Sequence, residues 1–262
     1  EQESRLPFEL ANDLALSAHF ILLGPSASVL ALTLHHHASD GLSIAILTNE
    51  FRQTYWGACN GEPPKLDQLP VQYSDWAAWQ QSTLEAEALD GQTKLKTKID
   101  RAIKRLGDIP DRLSLPVMRS RDPLRAHRAG WADIHIPGSL VLGLERLAQS
   151  RQSTVFSVML AMFGVMLSKL ASQTKVLIGS PVAGRSHAET EGLIGFFVNT
   201  LVIPVSLTSS DDVLQVIDDT KLKLEAALSD QDLPIATFVD ALGIERSLIH
   251  TPDFQAKLSL HG

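Results

Sequence analysis

The chain has 262 residues, of which 44% are hydrophobic and 20% charged, and its formal net charge is −7. That length and apolar content suffice for one large domain or two ordinary ones with a buried core, while the acidic balance excludes a broad nucleic-acid surface, which needs clustered Lys and Arg. The single cysteine, Cys59, excludes an intrachain disulfide and a multi-cysteine zinc site and fits a reducing compartment. Glu1–Arg5 is polar, without the apolar stretch of a signal peptide. The most apolar helical segment, Val158–Leu167, is too short to span a bilayer. A soluble, cytoplasmic protein with no membrane or nucleic-acid partner is the expectation.

Residues 1–10 show no element of their own. Val29–Leu34 (VLALTL) follows the turn-forming GPSAS and predicts a strand. His35, His36, His37, Asp40 and Gly41 fall where that strand gives way to a loop. A helix follows, with Ile44, Leu47, Phe51 and Tyr55 on one apolar stripe. A second helical pattern runs from Tyr73 to Leu106, with a break at Asp90–Gly91. Its cations, Lys94, Lys96, Lys98, Arg101, Lys104 and Arg105, predict a solvated helix face. Gly107–Arg128 contains Pro110, Pro116 and Pro123 among many charges and predicts a linker between two lobes. The division is then 1–106, with the histidines, a linker at 107–128, and 129–262.

Beyond the linker, Trp131–Ile136 alternates as a strand and Gly138–Gln152 has a helical pattern. The next helix, through Ala171, takes Ser153 or Thr154 as its N-cap and is apolar on most faces, as a central core helix is. Lys175–Val182 and Ile194–Leu207 predict strands, 211–229 and 234–243 helices, and Phe254–Leu260 a last strand. Both ends look cut from something larger. An isolated piece of that kind is expected to be a poor catalyst.

Three adjacent histidines among nine admit three readings. His35 and His37 share one side of an extended backbone and with Asp40 could hold a metal, but no HExxH or cysteine partner supports it. A polar strand-end loop satisfied by nearby backbone is the plainest reading. Proton transfer is the third, since imidazole takes and returns protons near neutrality.

His35–Gly41 (HHHASDG) resembles the HHxxxDG motif of the condensation domains of nonribosomal peptide synthetases. Further segments resemble that family in order: Pro7–Leu10 (PFEL), Val71–Gln80 (VQYSDWAAWQ), Ile178–Arg185 (IGSPVAGR), Glu191–Leu201 (EGLIGFFVNTL) and Ser229–Gln255. Three departures stand out. Ser17 replaces an arginine that can pair with the motif aspartate, so Asp40 needs another partner, for which Arg185 is the candidate. Asp230 replaces a histidine, and Ile235-Ala236 replaces Phe-Glu.

The resemblance implies an α/β, chloramphenicol-acetyltransferase-like fold: two lobes arranged as a V with the site in a tunnel between them, here truncated at both ends. It implies amide formation between a donor thioester and an acceptor aminoacyl thioester, both carried on the 4′-phosphopantetheine of carrier proteins. It implies further that the domain itself binds no cofactor or metal and that an adenylation domain neighbours it. His36 would orient the amine or take its proton, and Gly41 would admit the pantetheine arm and offer its N–H to the oxyanion. His35, Asp40 and Arg185 would be structural at the site, with Asn199 beside the cleft. An epimerisation domain and a non-catalytic docking module are the alternatives. Tyr73, Asp75, Trp76 and Trp79 admit an aromatic cage or plain packing. Ser180 lacks the G-x-S-x-G context of a nucleophile.

Overall fold

A computed structural model describes residues 7–87, 91–108, 112–116, 130–208, 212–243 and 254–260. Contacts divide the chain into two compact units: Glu1–Ser82 with Ala183–Val198, and Thr83–Val182 with Asn199–Gly262. The first holds β1 (Leu16–Gly24), β2 (Ala27–Leu34), α1 (Gly41–Cys59) and most of α2 (Tyr73–Glu85). The second holds α3 (Lys94–Leu106), α4 (Gly138–Ser150), α5 (Val155–Ala171), β3 (Lys175–Val182), β4 (Asn199–Ser206), α6 (Val213–Leu228), α7 (Ile235–Leu242) and β5 (Ala256–Lys257).

The second unit is built on a sheet in which β3 pairs antiparallel with β4 along its whole length and parallel with β5 at Ile178 and Gly179. Successive side chains of a strand point to opposite faces, and both faces here are apolar. On one, Val176, Ile178, Leu201, Ile203 and Val205 pack with Val158, Leu160 and Ala161 of α5 and Val216 and Ile217 of α6. On the other, Leu177 and Val202 pack with Ile99, Ala102 and Leu106 of α3 and Phe238 of α7. Each fully buried Leu or Ile contributes about 1.5–3 kcal/mol. Thr154 caps α5 by accepting the Ser157 N–H at 3.1 Å. At Gly164 the helix lies so near β4 that a Cβ would come within 2.5 Å of Val205.

α3 sits in this unit because its apolar face matches that second cluster. Its cations are not all a solvated face. Lys98, Arg101 and Arg105 stand at i, i+3 and i+7, on one side of the helix. Arg101 reaches Asp230 at 2.5 Å, Arg105 reaches it at 3.3 Å, and Lys98 reaches Asp232 at 2.6 Å. Asp230 is 3% exposed, so the aspartate that departs from the family pattern is a buried anchor for α3.

Asn199 has a comparable task. Its Nδ2 donates to Gln231 O (2.8 Å) and Leu233 O (2.6 Å), and its Oδ1 accepts the Ile235 N–H (3.1 Å). Pro234, the N-cap of α7, offers no side-chain cap, so Asn199 caps that helix from a distance in sequence. Asn199→Asp sets a carboxylate against two carbonyls and strips them of their donor. We expect a loss of about 3 kcal/mol, from buried groups left unsatisfied at 1–3 kcal/mol each, measured by denaturant unfolding.

Several predicted strands differ from the structure. Trp131–Ile136 pairs with no strand among the described residues, and Trp131 and Ile134 stand 96% and 86% exposed; alternation makes a strand only where a neighbour completes the ladder. Residues 194–198 are not strand, because side chains take their backbone groups, and β4 begins at Asn199. Phe254–Leu260 contributes only Ala256–Lys257. The linker assigned to 107–128 lies largely outside the described residues.

In the first unit, β1 is an element that sequence periodicity does not predict. It forms an antiparallel hairpin with β2, from Leu16↔Leu34 to Gly24↔Ala27, closed by Pro25 and Ser26. α1 is helical as its stripe predicts, but Ile44, Phe51 and Tyr55 remain exposed. No single helix among the described residues is long and apolar enough to cross a membrane; α4 and α5 meet that test only as a pair bent by 105°.

Candidate active site

The HHxxxDG loop ends β2. The His35 N–H donates to Ala15 O at 2.8 Å, and extended backbone at His35 caps one 3-10 turn, His36–Ala38. Within that turn the ring of His36 bends back, its Nδ1 3.0 Å from Ser39 O. A carbonyl only accepts, so Nδ1 carries a proton, and in the neutral tautomer Nε2 is the basic nitrogen. The ring stands edge-on to Phe196, centroids 5.2 Å apart, and His36 is exposed. An imidazole with one nitrogen tied and the basic one free is a group arranged to accept a proton.

Asp40 is the N-cap of α1. Its Oδ1 accepts the Ser43 N–H and the Ser43 hydroxyl, each at 2.8 Å, and its Oδ2 accepts the Phe197 N–H at 3.1 Å. Arg185 Nη2 lies 3.2 Å from Oδ1, in a pair whose side chains are 4% (Arg185) and 1% (Asp40) exposed. Burial pushes the Asp40 carboxyl up, but the Ser43 N–H, the Ser43 hydroxyl, the Phe197 N–H and Arg185 outweigh it and hold the carboxyl below its ordinary value. Arg185 also donates through Nη1 to Thr190 O (2.5 Å) and Leu193 O (2.8 Å). Its guanidinium lies 4.0 Å over the Phe197 ring.

Ser43, fully buried, joins the two halves of this arrangement. Its Oγ is 2.8 Å from Gly195 O, accepts the Gly195 N–H at 3.1 Å and accepts from Arg185 Nη2 at 3.0 Å. Phe197 packs against Tyr73 and Trp76, with ring centroids 5.1 and 4.6 Å away, and the Tyr73 hydroxyl donates to Phe196 O at 2.9 Å. Burial, and then the charge of Asp40, raise the Tyr73 hydroxyl above its ordinary value. Glycine is required twice. A Cβ on Gly195 would meet the Tyr73 ring at 2.1 Å, and Gly184 has φ +67 with Phe197 O where a Cβ would go.

The structure therefore brings His35, His36, Asp40, Gly41 and Arg185 together in one unit and places Asn199 in the cap of α7. Gly41 is the first residue of α1, with open space where a side chain would be. Tyr73 and Trp76 are packing residues behind Phe197, and Trp79 stands edge-on to His187 at 4.6 Å. Sequence reasoning misses Ser43. Its signal is its place three residues after an N-cap aspartate, where helix starts collect reciprocal bonds. Among the described residues, no group of three or more His, Cys, Asp or Glu side chains is placed to hold a metal ion.

A family model described as Condensation domain matches residues 1–261. The chain is 36% identical over 262 residues to phosphinothricin tripeptide synthetase PhsB of Streptomyces viridochromogenes, covering 99% of this chain and 21% of that protein. It is 33% identical over 259 residues to the isonitrile lipopeptide synthase of Mycobacterium tuberculosis, covering 99% and 10%. The chain thus spans a small part of the relatives it matches. Among solved structures, the X-domain from teicoplanin biosynthesis superposes with a TM-score of 0.87 at 21% identity, over 98% of this chain and 57% of that one. A four-domain nonribosomal peptide synthetase bound to AMP and glycine gives 0.81 at 24% identity, over 100% and 19%. These two likenesses show the shared α/β, chloramphenicol-acetyltransferase-like fold.

Proposed function

The chain belongs to the condensation-domain family of nonribosomal peptide synthetases, and from that premise we propose that it joins a donor acyl or peptidyl thioester to an acceptor aminoacyl thioester. One observation carries this: the exposed imidazole of His36, whose Nδ1 is tied to Ser39 O and whose Nε2 has no hydrogen-bond partner among the described residues. The acceptor amine attacks the donor thioester carbonyl, the C–N bond forms and the C–S bond breaks. The amine proton passes to His36 Nε2, and the departing phosphopantetheine thiolate takes up a proton. A thioester is already activated, so aiming the amine and handling its proton are the main tasks.

The developing oxyanion needs a donor. The first N–H groups of a helix have no intrahelical partner and carry its positive dipole end. Gly41 supplies one at the start of α1, with room beside it for a pantetheine arm. Asp40, Arg185 and His35 hold the loop and touch no substrate. The domain binds no cofactor. Its partners are upstream and downstream carrier domains and an adjacent adenylation domain.

Carrier proteins loaded with donor and acceptor, offered to the full-length protein bearing this sequence, test the proposal. Amide product is the expected result. Inversion of the donor α-carbon without an amide would make this an epimerisation domain, and binding of loaded carriers with no chemistry would make it a docking module.

A further inference from the structure

The third histidine of the run has its own geometry. His37 Nδ1 lies 2.6 Å from His35 Nδ1, and the His37 backbone N–H points at the same His35 nitrogen from 3.2 Å. The rings are tilted by 51° with centroids 4.7 Å apart. A nitrogen that accepts a backbone N–H cannot carry a proton, so His35 has its hydrogen on Nε2. Only one proton then fits between the two Nδ1 atoms, and it belongs to His37. His35 is the cap of the 3-10 turn at His36–Ala38, and that turn sets the ring of His36. The ring of His35 also meets Phe8 edge-on, with centroids 5.8 Å apart. The titratable groups of the preceding segments have partners of their own: His19 on β1 with Ser17, and Asp13 with the Glu9 N–H.

We propose that His37 is a positioning residue, whose Nδ1–H, donated to His35 Nδ1, clamps the turn that aims His36. The clamp is local. The three rings belong to consecutive residues, and one donated hydrogen bond decides whether the cap of the turn is held by one donor or two. This inference rests on the amide-forming role of His36 for its kinetic consequence and is independent of that role for its geometry.

Ring-nitrogen NMR of the chain tests the geometry. A scalar coupling across Nδ1–H···Nδ1 is expected, with His35 protonated at Nε2 and His37 at Nδ1. His37→Leu removes the donor, so the coupling disappears and the His36 ring signals shift or broaden. His37→Asn keeps an N–H near the same place and restores the His36 signals. In the full-length protein, His37→Leu lowers kcat about fivefold, the worth of one ordinary hydrogen bond, with KM near its original value, and His37→Asn recovers most of it. The proposal falls if His37 is protonated at Nε2, if His37→Leu leaves the His36 signals and kcat unchanged, or if His37→Asn restores nothing. Should the coupling and the His36 response be present while the full-length protein forms no amide, the clamp stands and the condensation role falls.

Discussion

His36→Ala lowers amide formation in the full-length protein by about 100-fold or more, the lower end of what a positioned acid–base group contributes, while the melting temperature stays near that of the parent. Both halves of the expectation come from the same geometry. The ring is exposed, its Nδ1 bonds Ser39 O, and it meets the Phe196 ring edge-on. Surface substitutions away from caps and cores typically change stability by within about 0.5 kcal/mol, so the fold should hardly register the loss. The chemistry should register it, because Nδ1 of the exposed His36 ring is tied to Ser39 O, while His35 and His37 are turned toward each other. Rates with loaded carriers, set beside a thermal melt of the same variant, separate the two effects. A folded His36→Ala protein with parental turnover would remove His36 from the reaction.

The legible parts of this fold are those where sequence periodicity and partner coincide. Lys175–Val182 is apolar enough to be buried on both faces, and it is; Val155–Ala171 is apolar on most sides and lies between a sheet and a helix. Alternation alone misleads at Trp131–Ile136, since a strand is a property of a pair and the sequence of one strand does not name its neighbour. The converse failure is residues 194–198, β-rich in composition but with the Gly195 N–H, the Phe196 C=O and the Phe197 N–H bonded to side chains of Ser43, Tyr73 and Asp40. Such side-chain-to-backbone bonds compete with the ladder, and nothing in local composition announces them. The same holds for α3, whose cations look solvated until Asp230, far along the chain, is placed beneath them. At the site, the histidines and Asp40 are legible through their spacing. Ser43 and the glycines at 184 and 195 are not, because their roles depend on what approaches them.

Asp40→Ala should destabilise the protein by about 3–5 kcal/mol, the usual effect of removing one partner of a buried ion pair, and activity should fall with it. The first unit has few buried apolar side chains among its described residues, chiefly Leu193 and Phe197, so this polar network holds much of what joins the loop to residues 183–198. Without the carboxylate, Arg185 keeps a buried charge and the Ser43 and Phe197 N–H groups lose their acceptor. At about 2–4 °C per kcal/mol for a chain of this size, the melting temperature drops by roughly 10 °C. Arg185→Met should match it, by stranding the carboxylate. The pH dependence follows in sign. A carboxyl held below its ordinary value in the folded state stabilises that state fully above the unfolded value, about 3.9, and loses the contribution as pH falls through the lower folded value. Parent and Asp40→Ala should therefore differ by the same amount from neutral pH down to about the unfolded value, and the gap should narrow only as the pH falls from there through the lower folded value. A stable, folded and inactive Asp40→Ala protein would move Asp40 from scaffold to chemistry, since a residue whose only task is to hold the loop cannot be removed without loosening it.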